Sequence, residues 1–491
     1  MYNAYITRIK NMHKHPNADR LQIGECFGNA VIVSMEYEDN QLGVYFPSDG
    51  QLSVEFAEAN NLLRKKDENG NNVGGYMDPE KRNVTAIKLR GEKSDGLFLP
   101  LKSLESFGDI TTLREGDRID NFNGHEICCK YVPRKQNRRG HYSEGNKTRK
   151  KKVPIAPLFT EHADTEQLAY NLAAFKPGDE IEITLKMHGT SQRTAYLPVL
   201  KGYADSTICK LKNWVKKLLH TIKKCKAPFD PDHDGAPIYD WGYVSGTRRT
   251  VLEDFEGGYY GSNEFREQHS KVFEGKLWKG ETVYYEVVGF TTSGAPIMAS
   301  ANNKKLNDKE FIKQYGAETV FSYGCSPTGV SEHGVDPILG EWATMAPQSD
   351  IYVYRMTMTN EDGDVVEYTP DFMRYRCEQM GIKCVPVFAK GTIDCEGVYI
   401  YSPNEELYGF AHETESIGDT VKQVAEKYYD GPDPIGKTHV REGVVVRIVN
   451  RPKFAAYKHK NWFFKALEGI VKVEAETPDI EEAESVDNDA E

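Results

Sequence analysis

No apolar run in this 491-residue chain is longer than a strand, so no segment is expected to span a bilayer and no membrane partner is expected. No two cysteines stand in C-x-x-C spacing, and their total of nine is odd, so neither a disulfide framework nor a zinc ribbon is indicated. The opening residues Met1-Tyr2-Asn3-Ala4-Tyr5 lack a basic-then-apolar leader, so a cytoplasmic protein with free thiols is expected. Internal repeats are also missing. What is present, 28% charged and 39% hydrophobic residues, rules out a wholly disordered or collagen-like chain and suits two or three domains.

The formal charge of −12 is unevenly spread. From Glu474 to Glu491 there are nine acids and no base, leaving a near-neutral body. Lys130 to Val153 holds ten basic residues and one acid; Lys201 to Ala227 holds eight lysines and one acid. Such runs are usually a solvated face or linker, but two cationic islands on a near-neutral body are also what a phosphate-tracking protein needs.

The first residues alternate like short strands, at Ala4 to Ile9, Leu21 to Cys26, Ala30 to Ser34, Gly43 to Phe46, Val84 to Leu89 and Gly96 to Leu101. A helical stretch (Phe56 to Leu63) and a turn-rich insert (Asp67 to Asp78) lie among them. The predicted class is α+β. An amino-terminal OB-type β-barrel (1–125) precedes a basic linker (126–155), a domain of antiparallel sheets flanked by helices (156–470) and an acidic tail (471–491). Ile181 to Leu185, Val283 to Gly289, Tyr352 to Thr357 and Gly443 to Val449 read as strands of that second domain. An amphipathic, lysine-flanked helix is predicted around Leu211 to Ile222.

Two motifs mislead. Gly431-Pro432-Asp433-Pro434-Ile435-Gly436-Lys437-Thr438 spells a P-loop, but its prolines delete backbone donors and a helical pattern precedes it. Asp230-Pro231-Asp232-His233-Asp234-Gly235 opens like a calcium loop, yet its twelfth position is Trp241.

K-x-x-G, the nucleophile pattern of covalent nucleotidyl transfer, occurs at Lys93-Ser94-Asp95-Gly96 and at Lys186-Met187-His188-Gly189. About three chance matches are expected in a chain of this composition, so context must choose. Lys93 reads as a turn within a hairpin. Lys186 ends an apolar strand, where its side chain can reach a cleft. A lysine attacks a phosphoanhydride only as the neutral amine, which neighbouring cations or desolvation favour. Lys458 and Lys460, alternate residues of a strand, are candidates for those cations. A divalent metal wants hard oxygen ligands, for which Glu442 is the candidate. Glu286 suits ribose hydroxyls and Tyr354 suits a base. They follow Lys186 at spacings one domain can span.

Lys-x-His-Gly-Thr, Ser-Gly-Thr-Arg-Arg, Tyr-Glu-x-x-Gly, Tyr-x-Tyr-Arg, Glu-Gly-Val-Val and Lys-x-Lys-Asn-x-x-Phe occur in that order. Together they resemble the ATP-dependent RNA ligases. Lys-x-His-Gly-Thr is similar to the T4-phage type-2 group, and Val244 to Arg249 to the Deinococcus-type nick-sealing ligases. His15-Pro16-Asn17-Ala18-Asp19-Arg20-Leu21 resembles the opening of tRNA-binding OB modules. The resemblance implies that Lys186 forms lysyl-AMP, with Gly189 and Thr190 beside the nucleotide. It implies that Glu286 holds ribose, Tyr354 stacks on adenine, Glu442 serves Mg²⁺ or Mn²⁺, and Lys458 and Lys460 contact the α-phosphate. His188 would support adenylylation, and Arg248 and Arg249 would meet RNA phosphate or pyrophosphate.

The expected function is therefore ATP-dependent joining of RNA 3′-OH and 5′-phosphate ends at a nick, by a monomer. Only about 31 residues follow Lys460, too few for the carboxy-terminal OB domain of DNA ligases and capping enzymes. The rivals are a GTP-dependent capping guanylyltransferase and a non-catalytic RNA-binding protein on a ligase scaffold.

Overall fold

The computed structural model describes residues 2–66, 72–131, 153–162, 165–204, 237–252, 255, 263–292, 297, 307–317, 349–401, 407–411, 416–435 and 440–467. The basic run 132–152, the predicted helix at 211–222, the calcium-loop look-alike, the end of the P-loop look-alike and the acidic tail lie outside them.

In the amino-terminal part, strand Leu21–Cys26 falls where the alternation places it, in a three-stranded sheet with Lys10–Lys14 and Asn29–Ser34. A four-stranded sheet runs in the order Leu97–Pro100, Leu42–Phe46, Ala4–Arg8, Arg118–Ile119. A second three-stranded sheet joins Cys128–Lys130, Gly50–Leu52 and Asn83–Val84, so the amino-terminal part runs to Lys130, past the expected boundary at 125, because Ile127 and Cys128 are buried in its core. Among the described residues no continuous ladder links these sheets, so hydrogen bonds do not close the expected OB-type barrel. Ile6, Val44, Phe46, Phe56, Leu104 and Ile127 form the core they enclose. The helix runs Val54–Ala59, shorter and earlier than expected: Ser53 caps its start, and Asn61 takes φ 53° just past its end.

The His15 motif has a structural task in this fold. Buried His15 contacts Leu89 O through Nε2 (3.1 Å) and accepts the Asn17 N–H at Nδ1 (3.0 Å), while Asn17 Nδ2 donates to Arg90 O. The motif thus pins the hairpin Ala86–Leu89/Glu92–Asp95. Lys93 lies within a strand of that hairpin, opposite Lys88, and not in its turn.

The second part is built on two sheets. A seven-stranded sheet has the order Glu166–Gln167, Ala455–Lys460, Gly443–Ile448, Glu180–Leu185, Val387–Ile393, Gly397–Tyr401, Leu407–Ala411. A six-stranded sheet has the order Val251–Leu252, Pro237–Gly246, Thr190–Tyr203, Glu281–Gly289, Ser349–Thr359, Val365–Glu367. The pairs are antiparallel except that between Glu166–Gln167 and Ala455–Lys460. Period-two alternation explains the first sheet: Ile181, Ile183, Val444, Val446 and Ile448 pack under the helix Ile417–Glu426. That helix begins in a Ser416/Asp419 capping box and buries Val421, Val424 and Ala425, each valine contributing about 2 kcal/mol. Glu182, Thr184, Val445 and Arg447 take the intervening positions and face a cavity between the sheets. The helix Pro370–Met380, capped by Thr369, backs the other sheet through Met373 and Cys377. No described helix is long and apolar enough to cross a membrane.

Candidate active site

Lys186 sits where the chain leaves one sheet for the other. Glu180–Leu185 ends the central run of the seven-stranded sheet, and Thr190 starts the middle of the six-stranded one, so Lys186 to Gly189 bridge the cleft. The Lys186 N–H donates to Gly443 O at 3.0 Å and ties the bridge to the neighbouring strand. Gly189 is needed for close packing: a β-carbon there would run into the Val287 carbonyl oxygen and the Val288 side chain.

The buried Glu442 carboxylate is the hub. Lys186 Nζ lies 2.6 Å and Lys460 Nζ 3.3 Å from Oε1, and His188 Nδ1 lies 3.2 Å from Oε2. The imidazole therefore carries its hydrogen on Nδ1 in this contact, and Phe464 meets that ring edge-on at 5.3 Å. Burial alone would raise the Glu442 carboxyl; Lys186, Lys460 and His188 outweigh it and hold the group well below the usual carboxylate range. Lys458 lines the same cavity. Its amine is lowered from 10.5 to about 7, by burial first and then by Lys460, Lys186, Arg248 and Lys130.

Lys186, His188, Gly189, Arg248, Arg249, Glu286, Tyr354, Glu442, Lys458 and Lys460 all line this one cavity. Lys458 and Lys460 reach it from the same side of their strand, while His459 between them points the other way, against Tyr429 and Glu426. The Tyr354 hydroxyl is 2.9 Å from Ser191 Oγ, and its ring lies 5.5 Å from that of His162. A turn in which Thr247 N–H donates to Thr250 O presents Arg248 and Arg249.

Thr190 is the exception. Its side chain is buried away from the cavity lining and accepts a hydrogen bond from Arg266 Nη2 at 2.7 Å. As the first residue of its strand it points to the far face of the six-stranded sheet, so it does not stand beside a nucleotide as expected.

The sequence reading missed Glu182, Arg447, Phe454 and His162, which also line the cavity. Glu182 is buried and clamped by both arms of Arg374 (3.0 and 2.7 Å). Arg447 donates to Tyr368 O, and Arg355 joins Glu367 to His162. Alternation was a usable signal for two of them: Glu182 and Thr184 step back from Lys186 by twos, as Arg447 steps on from Val445.

The donor set fits a divalent ion in one way. Among the described residues no group of three or more His, Cys, Asp or Glu could hold a metal. Glu442 is a single carboxylate whose oxygens already meet Lys186, Lys460 and His188. An ion could sit here only if substrate phosphates completed its oxygen shell.

No family model and no curated protein matches the chain. Among solved structures it is similar to a Naegleria gruberi RNA ligase mutant with ATP and Mn, at 14% identity over 94% of this chain and 98% of that one, TM-score 0.50. A second mutant of that ligase with ATP and Mn gives 13% identity over 95% and 99%, TM-score 0.49. A third, with AMP and Mn, gives 13% over 96% and 99%, TM-score 0.48. At 14% identity the first likeness is one of fold.

Proposed function

We propose that this protein is an ATP-dependent RNA ligase that joins a 3′-hydroxyl to a 5′-phosphate, with Lys186 as nucleophile. One observation carries the reading: Lys186 Nζ reaches the cavity within 2.6 Å of Glu442, with Lys460 on the same carboxylate and Lys458 alongside. Two lysines on one carboxylate with a third in the same cavity suit transfer of a phosphoryl-linked group, because Lys458 and Lys460 can take an arriving phosphate while Glu442 holds Lys186 in place.

In the first step Lys186 Nζ attacks the α-phosphorus of ATP, and pyrophosphate leaves. Lys458 and Lys460 hold the α-phosphate oxygens. Glu286 accepts from the ribose hydroxyls, Tyr354 lies against the adenine, and His188 keeps Glu442 oriented. A divalent ion carried in by the nucleotide, Mg²⁺ or Mn²⁺, would neutralise phosphate charge beside Glu442. AMP then passes to the RNA 5′-phosphate, and a 3′-hydroxyl displaces it to seal the strand. Catalysis is mainly alignment and charge stabilisation.

The amino-terminal part is read as an OB-type nucleic-acid module of a Deinococcus-type nick-sealing ligase, followed by a basic linker, the adenylyltransferase domain and an acidic tail. The protein is read as a cytoplasmic monomer acting on RNA nicks. Incubation with α-labelled ATP and Mg²⁺ or Mn²⁺ tests the reading: covalent label on the protein supports it. Label from GTP in its place would identify a capping guanylyltransferase, and no label from either would favour a non-catalytic RNA-binding protein.

A further inference from the structure

The cavity is not made by the two large sheets alone. Asp49 and Lys130, both from the amino-terminal part, line it together with Arg248, Arg249 and Lys458. Lys130 ends the strand Cys128–Lys130, whose register with Gly50–Leu52 sets it opposite Gly50. Cys128 points into the module's own core, whereas Lys130 is exposed at the end of the strand and turned to the cleft.

Several contacts fix the module against the rest of the chain, among them the Lys88 and Lys93 pairs with Asp308 and Glu310. Tyr170 enters an aromatic cup of Tyr5, Phe27 and Tyr45, at centroid distances of 4.8, 5.4 and 6.2 Å. Arg118 Nη2 donates to Asn171 Oδ1 at 2.9 Å. Buried Asp95 receives Lys465 Nζ at 2.7 Å. Lys130 therefore has a defined place over the cleft.

The lining has seven cationic side chains and four carboxylates. Glu182 is held by Arg374 and Glu442 by Lys186. Lys130 and Arg248 are close enough to Lys458 to help depress its amine, after burial, Lys460 and Lys186, so these cations share one end of the cavity with the Asp49 carboxylate. A pocket end of that kind suits a multiply charged phosphate.

We propose that Lys130, supplied by the amino-terminal module, is a phosphate-binding residue of this cavity, paired with Arg248 at the end beyond Lys458. The proposal rests on the ligase reading for the identity of the phosphate. Its source is either the leaving phosphates of ATP or the 5′-phosphate of the RNA end.

The experiment uses the full chain, comparing wild type with Lys130→Ala and Lys130→Arg, with urea unfolding as a check that each variant is folded. Lysyl-AMP formation is followed against ATP concentration, its reversal against pyrophosphate concentration, and strand sealing with RNA already bearing 5′-AMP. If Lys130 meets the leaving phosphates, Lys130→Ala raises the ATP and pyrophosphate half-saturation values about tenfold, a change of about 1.4 kcal/mol, with sealing of adenylylated RNA unchanged. If it meets the RNA phosphate, transfer of AMP to the RNA end weakens by a similar factor and the ATP dependence does not move. In either arm Lys130→Arg restores most of the loss. Both quantities within twofold of wild type in folded Lys130→Ala would overturn the proposal. Should the wild type form no adduct, the ligase reading fails separately. Calorimetric titration with pyrophosphate then decides for Lys130 alone: equal affinity in wild type and Lys130→Ala sinks it.

Discussion

Lys93 and Lys186 both stand three residues before a glycine, and the fold gives them opposite surroundings. Lys93 is spread over the outside of the hairpin it belongs to, 2.9 Å from Glu310 and about 5 Å above the rings of Trp462 and Phe463. Ser94 accepts the Ile32 N–H, and Asp95 holds Lys465. Lys93, Ser94 and Asp95 each join that segment to another part of the chain. Lys186 instead reaches a cavity whose other walls carry Glu442, Lys458, Lys460 and the ring of Tyr354. What separates them is the surrounding wall, whose Glu442, Lys458 and Lys460 come from a segment more than 200 residues further along the chain.

The largest expected effect breaks the comparison outright. Lys186→Ala removes the nucleophile and should lower covalent labelling by α-labelled ATP at least about a thousandfold, while Lys93→Ala labels normally. The reverse outcome would transfer the role to Lys93. Next, Glu442→Gln keeps the shape but leaves Lys186 and Lys460 without their counter-charge; adduct formation should fall about a hundredfold, read by single-turnover kinetics. A loss under threefold would show that the hub is dispensable.

The hairpin should give the mirror image. Asp95→Ala leaves the Lys465 amine, which is only slightly exposed, without its partner, and should cost about 2–3 kcal/mol in urea unfolding with labelling per folded molecule retained. Loss of labelling without loss of stability would contradict the division of labour.

Lys458 gives a pH signature with no counterpart at Lys93. Its amine lies near 7 in the folded protein and at 10.5 as an ordinary lysine. Below about 7 both folded and unfolded chains carry the proton, and the penalty for burying the charge is constant. Between these values the unfolded chain binds more protons, so stability should climb with pH by up to about 1.4 kcal/mol per unit. Lys458→Met should flatten that rise in urea titrations. ATP binding at pH 8 should draw a proton onto Lys458, seen as a dependence of calorimetric heat on buffer ionisation enthalpy; a heat independent of buffer would remove Lys458 from the phosphate site.

The smallest effect is at the outer ion pair. Lys93→Glu, beside a half-exposed Glu310, should cost under about 1 kcal/mol, recovered in the Lys93→Glu/Glu310→Lys double variant.

The strands around the cavity were readable because alternation is local. Ile181, Ile183 and Leu185 mark one face of their strand, and Lys458 and Lys460 fall on one side of theirs with no knowledge of partners. Thr190 was misread because a residue at the crossing between sheets belongs to whichever ladder it joins, and Arg266, 76 residues on, decides its direction. The His15 motif suggested nucleic-acid binding yet pins a hairpin, since the carbonyls it meets at Leu89 and Arg90 lie far along the chain. Tyr170 likewise fills a cup of Tyr5, Phe27 and Tyr45, an aromatic contact that no local pattern announces.

Residue order alone determined which strands could form, which side of each was polar, and which lysine ended a strand beside small residues. Those properties depend on neighbours one to four positions apart. Only tertiary structure decided that Glu442 meets Lys186, that Lys458 is desolvated among cations, and that Lys130 arrives from another part of the chain. Burial and Coulomb forces depend on distance in space, and nothing in the local pattern at position 130 reports what lies across the cleft.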